Sequence, residues 1–186
     1  SDYTINGELR ISSGTIQIND DASTTDLNFT AKGDVVVENN GSVLTGSANA
    51  RHQLNLYGDF TNKGTVEFTN RTSPNYGSEA TDGIVDVNFL NDSENQTAFL
   101  DGPSTFYRIE VDKGVDDTYE LALEATDGNY FDLYGYAAEG HPENSQLTDN
   151  SNALGLIKGT ARIKSNISIP VLNNTGNYNV SEAARL

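Results

Sequence analysis

The chain has no cysteine, methionine or tryptophan among its 186 residues. Lack of cysteine removes a disulfide framework, a thiolate metal site and a cysteine nucleophile from consideration. Lack of methionine means that Ser1 follows no retained initiator, so a processed chain or a piece of a longer one is expected. Bases are also scarce, with 11 Lys and Arg against 27 Asp and Glu and a net charge of −16. Such a surface repels phosphates and anionic lipid headgroups, so neither nucleic acid nor direct membrane insertion is expected. No stretch approaches the ~18 apolar residues of a bilayer span, and no basic-then-apolar leader opens the chain. Apolar residues make up only 35%, which suits thin strands and many turns better than long helices around a thick core.

What is present is a short glycine-led phrase that returns: Gly7-Glu-Leu-Arg-Ile11, Gly14-Thr-Ile-Gln-Ile18, Gly33-Asp-Val-Val-Val37, Gly64-Thr-Val-Glu-Phe68, Gly83-Ile-Val-Asp-Val87 and Gly159-Thr-Ala-Arg-Ile163. Each phrase reads as a short strand that alternates apolar and polar residues after a residue free to turn a corner. No single phrase can bury its own apolar side, so stacked copies must do it together. This predicts an all-β, parallel β-solenoid forming one domain over residues 1–186, with coils on the order of 20 residues plus insertions. An antiparallel β-sandwich is the alternative, because it produces the same alternation.

Ile5, Leu9, Ile11, Ile16, Ile18, Leu27, Phe29, Val35, Val37, Val43, Leu54, Leu56, Phe60, Val66 and Phe68 are the expected inward residues of the first part. Asn39-Asn-Gly41, Asn62-Lys-Gly64 and Asp101-Gly102 signal corners, since Asn, Asp and Gly tolerate tight backbone. The rhythm breaks at Asn70 to Asp82, which carries Pro74, and again at Tyr134 to Asn152; both read as protruding loops. Ser181 to Leu186 reads as a short helical possibility.

Candidate chemistry is sparse. Asp112, Asp116 and Asp117 cluster after a strand and offer carboxylates to Ca²⁺, as do Asp127 and Asp132 around Gly128, but the spacing is not that of a 12-residue EF-hand loop. Ca²⁺ is therefore possible but not favoured, and no cofactor is expected. Glu8, Glu67, Asp86, Glu110 and Glu120 sit at polar strand positions, where alternation already demands an outward polar residue. Catalysis of the paired-carboxylate kind is not expected from them. His52 and His141 belong to no ligand or triad motif and read as loop or turn residues. Tyr130, Tyr134 and Tyr136, at even spacing, would share one strand face and are the weak candidates for stacking a sugar ring, against the alternative of an aromatic ladder in the solenoid.

Gln96-Thr97, Gly102, Thr105-Phe106-Tyr107, Ile109, Val111 and Lys113-Gly114 follow one another in an order that resembles repeats of large adhesin-like surface proteins exported by Bacteroidetes-type bacteria. Tyr57-Gly-Asp-Phe-Thr-Asn-Lys-Gly-Thr-Val-Glu-Phe68 and Ala153-Leu-Gly-Leu-Ile-Lys-Gly-Thr-Ala-Arg-Ile163 are similar to other recurring lines of those proteins. The resemblance covers about half of the chain and implies a right-handed parallel β-helix in a secreted, cell-surface protein delivered by the type IX route. Tyr134 to Asn152 departs from it in length and acidity, and residues 1–186 themselves show no sorting domain, as expected of a piece of a longer chain. The combined expectation is a non-enzymatic structural and adhesive segment, extracellular or on the bacterial cell surface. Its expected partners are surface glycans, other cell-surface proteins and neighbouring repeats of its parent chain. A carbohydrate-binding module and a polysaccharide-active β-helix enzyme are the alternatives.

Overall fold

The computed structural model describes residues 2–18, 24–48, 50–70, 83–134, 153–164, 166–167 and 178–186. Among the described residues fifteen strands join into one sheet that winds round three faces. On the first face stand β1 (Asp2–Ile5), β3 (Asn28–Ala31), β5 (Arg51–Leu56), β8 (Ile84–Phe89), β11 (Arg108–Asp112), the first half of β14 (Leu154–Ile163) and the start of β15 (Tyr178–Arg185). The second face takes the starts of β2 (Leu9–Gln17) and β4 (Val35–Leu44), then β6 (Phe60–Asn62), β9 (Gln96–Leu100), β12 (Glu120–Ala125) and the second half of β14. The far ends of β2 and β4 continue onto the third face, followed by β7 (Thr65–Glu67), β10 (Ser104–Phe106) and β13 (Asp132–Leu133). Every ladder between these strands is parallel, so the fold is a parallel β-helix and not an antiparallel sandwich.

The glycine phrases fall on three different corners. Gly7, Gly33 and Gly159 precede second-face strands, Gly14 and Gly64 precede third-face residues, and Gly83 precedes a first-face strand. A single coil therefore carries more than one phrase, and the true repeat is longer than phrase spacing suggests. Contacts between equivalent positions of neighbouring coils join residues 25 apart at several levels. At the second corner Gly41, Gly64 and Gly102 stand in a column, where a Cβ on Gly64 would strike the Gly41 carbonyl oxygen and one on Gly102 that of Gly64. The three turn signals read from sequence are thus one corner in three successive coils.

Inside, period-two alternation delivers one apolar layer per coil. Leu54, Val87, Ile109 and Leu154 stand in register on the first face, all buried. Phe60, Phe68, Phe106 and Phe131 form an aromatic column, with centroids 6.1, 5.5 and 5.7 Å apart between successive rings. Each buried ring contributes roughly 1.5–3 kcal/mol by transfer from water, and the Phe68–Phe106 and Phe106–Phe131 contacts join the third, fourth and fifth coils. In the first described coil Tyr3 and Ile16 stay exposed. The segment read as a short helix, Ser181 to Leu186, is instead largely within strand β15, because pairing with β14 outweighs the helix preference of Glu-Ala-Ala-Arg. Among the described residues no helix is long and apolar enough to cross a membrane. The expected loops lie outside the described residues except for their first residues, Asn70 and Tyr134.

Candidate functional site

Much of the acidity serves the corners. Asp26 Oδ1 accepts the Arg51 N–H at 2.9 Å, Asp34 Oδ1 that of Asp59 at 2.9 Å, and Asp59 Oδ1 that of Thr97 at 2.8 Å. Asp92 Oδ1 accepts from Gly114 N at 3.0 Å and Asn95 Oδ1 from Glu120 N at 2.8 Å. In every case a side chain of one coil satisfies a backbone donor of the next. A charged acceptor makes such a bond stronger than a neutral one.

The outward carboxylates do not converge on a groove. Glu110 and Asp86 lie on the first face, Glu120 on the second, Glu67 on the third, and Glu8 at the corner before β2. Bases neutralise most of them: Arg10 bonds Glu8 and Glu38, and Arg162 lies 3.3 Å from Glu120. Arg51 holds Asp86 at 2.8 Å, while Arg108 lies 3.9 Å from Asp86 and bonds Glu110. The Arg10 guanidinium holds the Glu8 carboxyl below the usual carboxylate range.

The aspartates weighed for Ca²⁺ are engaged separately. Asp112 pairs with Lys158 at 2.9 Å and Asp117 with Arg185 at 2.6 Å. Asp116 Oδ1 accepts the Thr118 N–H at 2.9 Å, and hydrogen bonding from Thr118 lowers its pKa. Asp127 caps the 3-10 turn Gly128–Tyr130 by accepting from Asn129 N. No group of three or more His, Cys, Asp or Glu side chains positioned for a metal occurs among the described residues.

Tyr130 and Tyr134 do not share a strand. Tyr130 ends the 3-10 turn and packs half-buried against the core, and Tyr134 follows β13. A turn capped by Asp127 interrupts the alternation that even spacing implied. Burial, then Asp132, raises the Tyr134 phenol. Tyr136 lies outside the described residues, as does His141.

His52, read as a turn residue, is an inward residue of β5 and fully buried, in register with Val85. Its Nδ1 accepts the Leu27 N–H at 3.1 Å, so Nε2 carries the proton, and that nitrogen is buried without a partner. Desolvation lowers its pKa, against the pull of Asp26.

The most unusual chemistry lies inside the fourth and fifth coils. Lys113 is fully buried, and its Nζ donates to the Asn91 carbonyl at 3.1 Å and to Gln96 Oε1 at 2.6 Å. Gln96 is itself buried, and its Nε2 donates to the carbonyls of Leu56 at 3.2 Å and Gly58 at 2.6 Å. The Asn91 N–H completes the set by donating to Gln96 Oε1 at 3.2 Å. Burial pushes the Lys113 ammonium down to about 8, although Asp92 and Asp59 favour its charged form. Sequence reading passed over this residue, yet the signal was present: Ile109, Val111 and Lys113 continue one inward alternation.

No family model, curated protein or solved structure matches the chain.

Proposed function

We propose that this chain is a structural segment, a stiff non-enzymatic scaffold that displays loops for adhesion at a bacterial surface. The observation that carries this reading is the use of its polar side chains: they tie coil to coil. Asp34, Asp59, Asp92 and Asn95 each bond the backbone of the following coil, and Lys164 and Glu124 pair across 40 residues at 2.9 Å. A catalytic cleft needs carboxylates that converge and stay free to exchange protons, whereas Asp86, Glu110 and Glu120 are held by arginines. Extracellular placement and glycan or protein partners reached through the loops follow from the sequence resemblance.

Single-molecule pulling between the two ends tests the mechanical part. Coils are expected to yield in discrete cooperative steps, and smooth extension at low force would overturn the scaffold reading. Purified chain is also expected to leave uronate-containing polysaccharides uncut. Cleavage that disappears in Asp86→Asn or Glu110→Gln would make the protein an enzyme.

A further inference from the structure

We propose that this chain stacks end to end, the β1–β2 end of one copy docking on the β15 end of a second copy. The two ends are unfinished in matching ways. At the first, β1 pairs only with β3 and β2 only with β4 among the described residues, so each keeps one edge without a ladder. An apolar cavity of about 460 Å³ opens there, reaching past Phe29 and Leu54 to Phe60 and Phe68 of the third coil. Tyr3 and Ile16 line it and are 54% and 39% exposed, although both stand at inward positions of their strands. At the other end β15 pairs only with β14 among the described residues, Leu186 is 66% exposed, and Ile163 and Ala184 are half-buried. A terminal coil whose inward residues lack a neighbour needs a cap or another coil, and an uncovered strand edge is a template for pairing.

Continuity with the ladders inside the molecule names the occupant. The column that begins at Tyr3 runs in register through each described coil to Tyr178, so the start of β15 offers a second copy's β1 the same parallel register that β14 offers β15. Charge agrees with this order. Leu9 and Ile163 belong to one column, and Glu8 and Arg162 stand one residue before them. Stacking therefore carries Glu8 of one copy toward the rim where Arg162 and Arg185 of the other stand largely exposed. Turning the second copy over would set strands antiparallel, unlike every ladder of the fold, and would crowd Asp2 and Glu8 of both copies at one junction. A joint between two different ends does not close, so copies add in a row. Such association is independent of any adhesive role.

Sedimentation velocity of the purified chain over a concentration series, in enough salt to screen the net charge of −16, tests it. Dimers and then longer species are expected as concentration rises. Two variants separate the ends: Tyr3→Asp blocks the first, and Arg185→Glu with Leu186→Asp blocks the second, each with its fold checked by circular dichroism. If Tyr3→Asp does not fold, Ile16→Asp takes its place. Each variant is expected to be monomeric alone, and their mixture to form a species of two chains and nothing longer, because one intact end of each kind remains. Self-association of either variant alone would mean that like ends meet, and would overturn the proposal, as would a mixture that stays monomeric. An unaltered chain that is monomeric at its highest soluble concentration would overturn it too, and binding of anilinonaphthalene sulfonate by that monomer would assign the cavity to a small apolar ligand instead.

Discussion

The first corner is turned in two ways within one molecule. In the second and third coils it takes three residues, Lys32-Gly33-Asp34 and Tyr57-Gly58-Asp59, and backbone lies directly on backbone. In the fourth and fifth coils it takes the longer segments 90–95 and 113–119. The tight corner leaves no room for a side chain and therefore demands glycine. The wide corner of the fourth coil leaves the Asn91 carbonyl facing the interior beside the carbonyls of Leu56 and Gly58 at the tight corner of the third coil, and buried carbonyls need donors. Lys113 and Gln96 supply them. A corner in a β-helix can thus be closed by removing side chains or by inserting polar ones, and the choice follows corner length.

The strongest way to break this comparison is to remove the brace. Lys113→Ala deletes a buried stem and leaves the Asn91 carbonyl without its donor, for an expected loss of about 4 kcal/mol read from urea midpoints. A loss below about 1 kcal/mol would mean that the wide corner closes without Lys113.

The tight corner gives the next largest effect. A Cβ on Gly58 would lie 2.5–2.6 Å from Gly33 C and from the N and Oδ1 of Asp34, and the backbone atoms among these cannot swing away. Gly58→Ala is expected to cost about 2 kcal/mol as overpacking. Gly7 stands at the same corner one coil before Gly33, and a Cβ there meets nothing within 4 Å. Gly7→Ala should change stability by less than about 0.5 kcal/mol. Equal losses at both positions would show that stacking is not what requires glycine.

This contrast also marks how far the sequence can be read. Alternation at Val35, Val37, Val43 and Leu54 was legible because one face of each strand is buried, and corners were legible because turns need Asn, Asp and Gly. Which corner each phrase occupies was not, since Gly33-Asp-Val and Gly64-Thr-Val look alike while preceding different faces. The polar interior was legible in principle from the spacing of Val111 and Lys113, but lysine is so rarely buried that period alone did not outweigh its usual exposure. His52 was missed for a related reason: a histidine between Arg51 and Gln53 looks solvated, yet it occupies the inward phase that Leu54 and Leu56 continue. Tyr130 failed in the opposite direction, because even spacing across Gly128-Asn129 hides a 3-10 turn.

His52 sharpens the comparison through pH. Unlike Lys113, it is an interior polar group with one nitrogen unpaired. Its folded pKa lies below the ordinary value, so the unfolded chain binds the proton more readily. Its contribution is therefore fully present above the unfolded value of about 6.5, and is lost as pH falls from there through the folded pKa. The melting temperature is expected to drop across that window more steeply in the unaltered chain than in His52→Leu. Parallel curves would show that His52 takes up its proton as easily folded as unfolded.

The smallest effect asks whether the two corner types share anything. Both hand a backbone N–H to an Asp or Asn of the preceding coil: the Asp59 N–H to Asp34 at the tight corner, and the Glu120 N–H to Asn95 at the wide one. The donor that must be satisfied is the same, and both acceptors stand near solvent, where water replaces part of what is lost. Asp34→Ala and Asn95→Ala are each expected to cost about 1 kcal/mol, as for a side-chain acceptor at an exposed backbone donor. If Asn95→Ala alone destabilises, the wide corner depends on its caps as well as its interior brace. If only Asp34→Ala does, the cap belongs to the glycine corner and the brace suffices elsewhere. Equal losses would make the cap a property of coil stacking itself, independent of how the corner is filled.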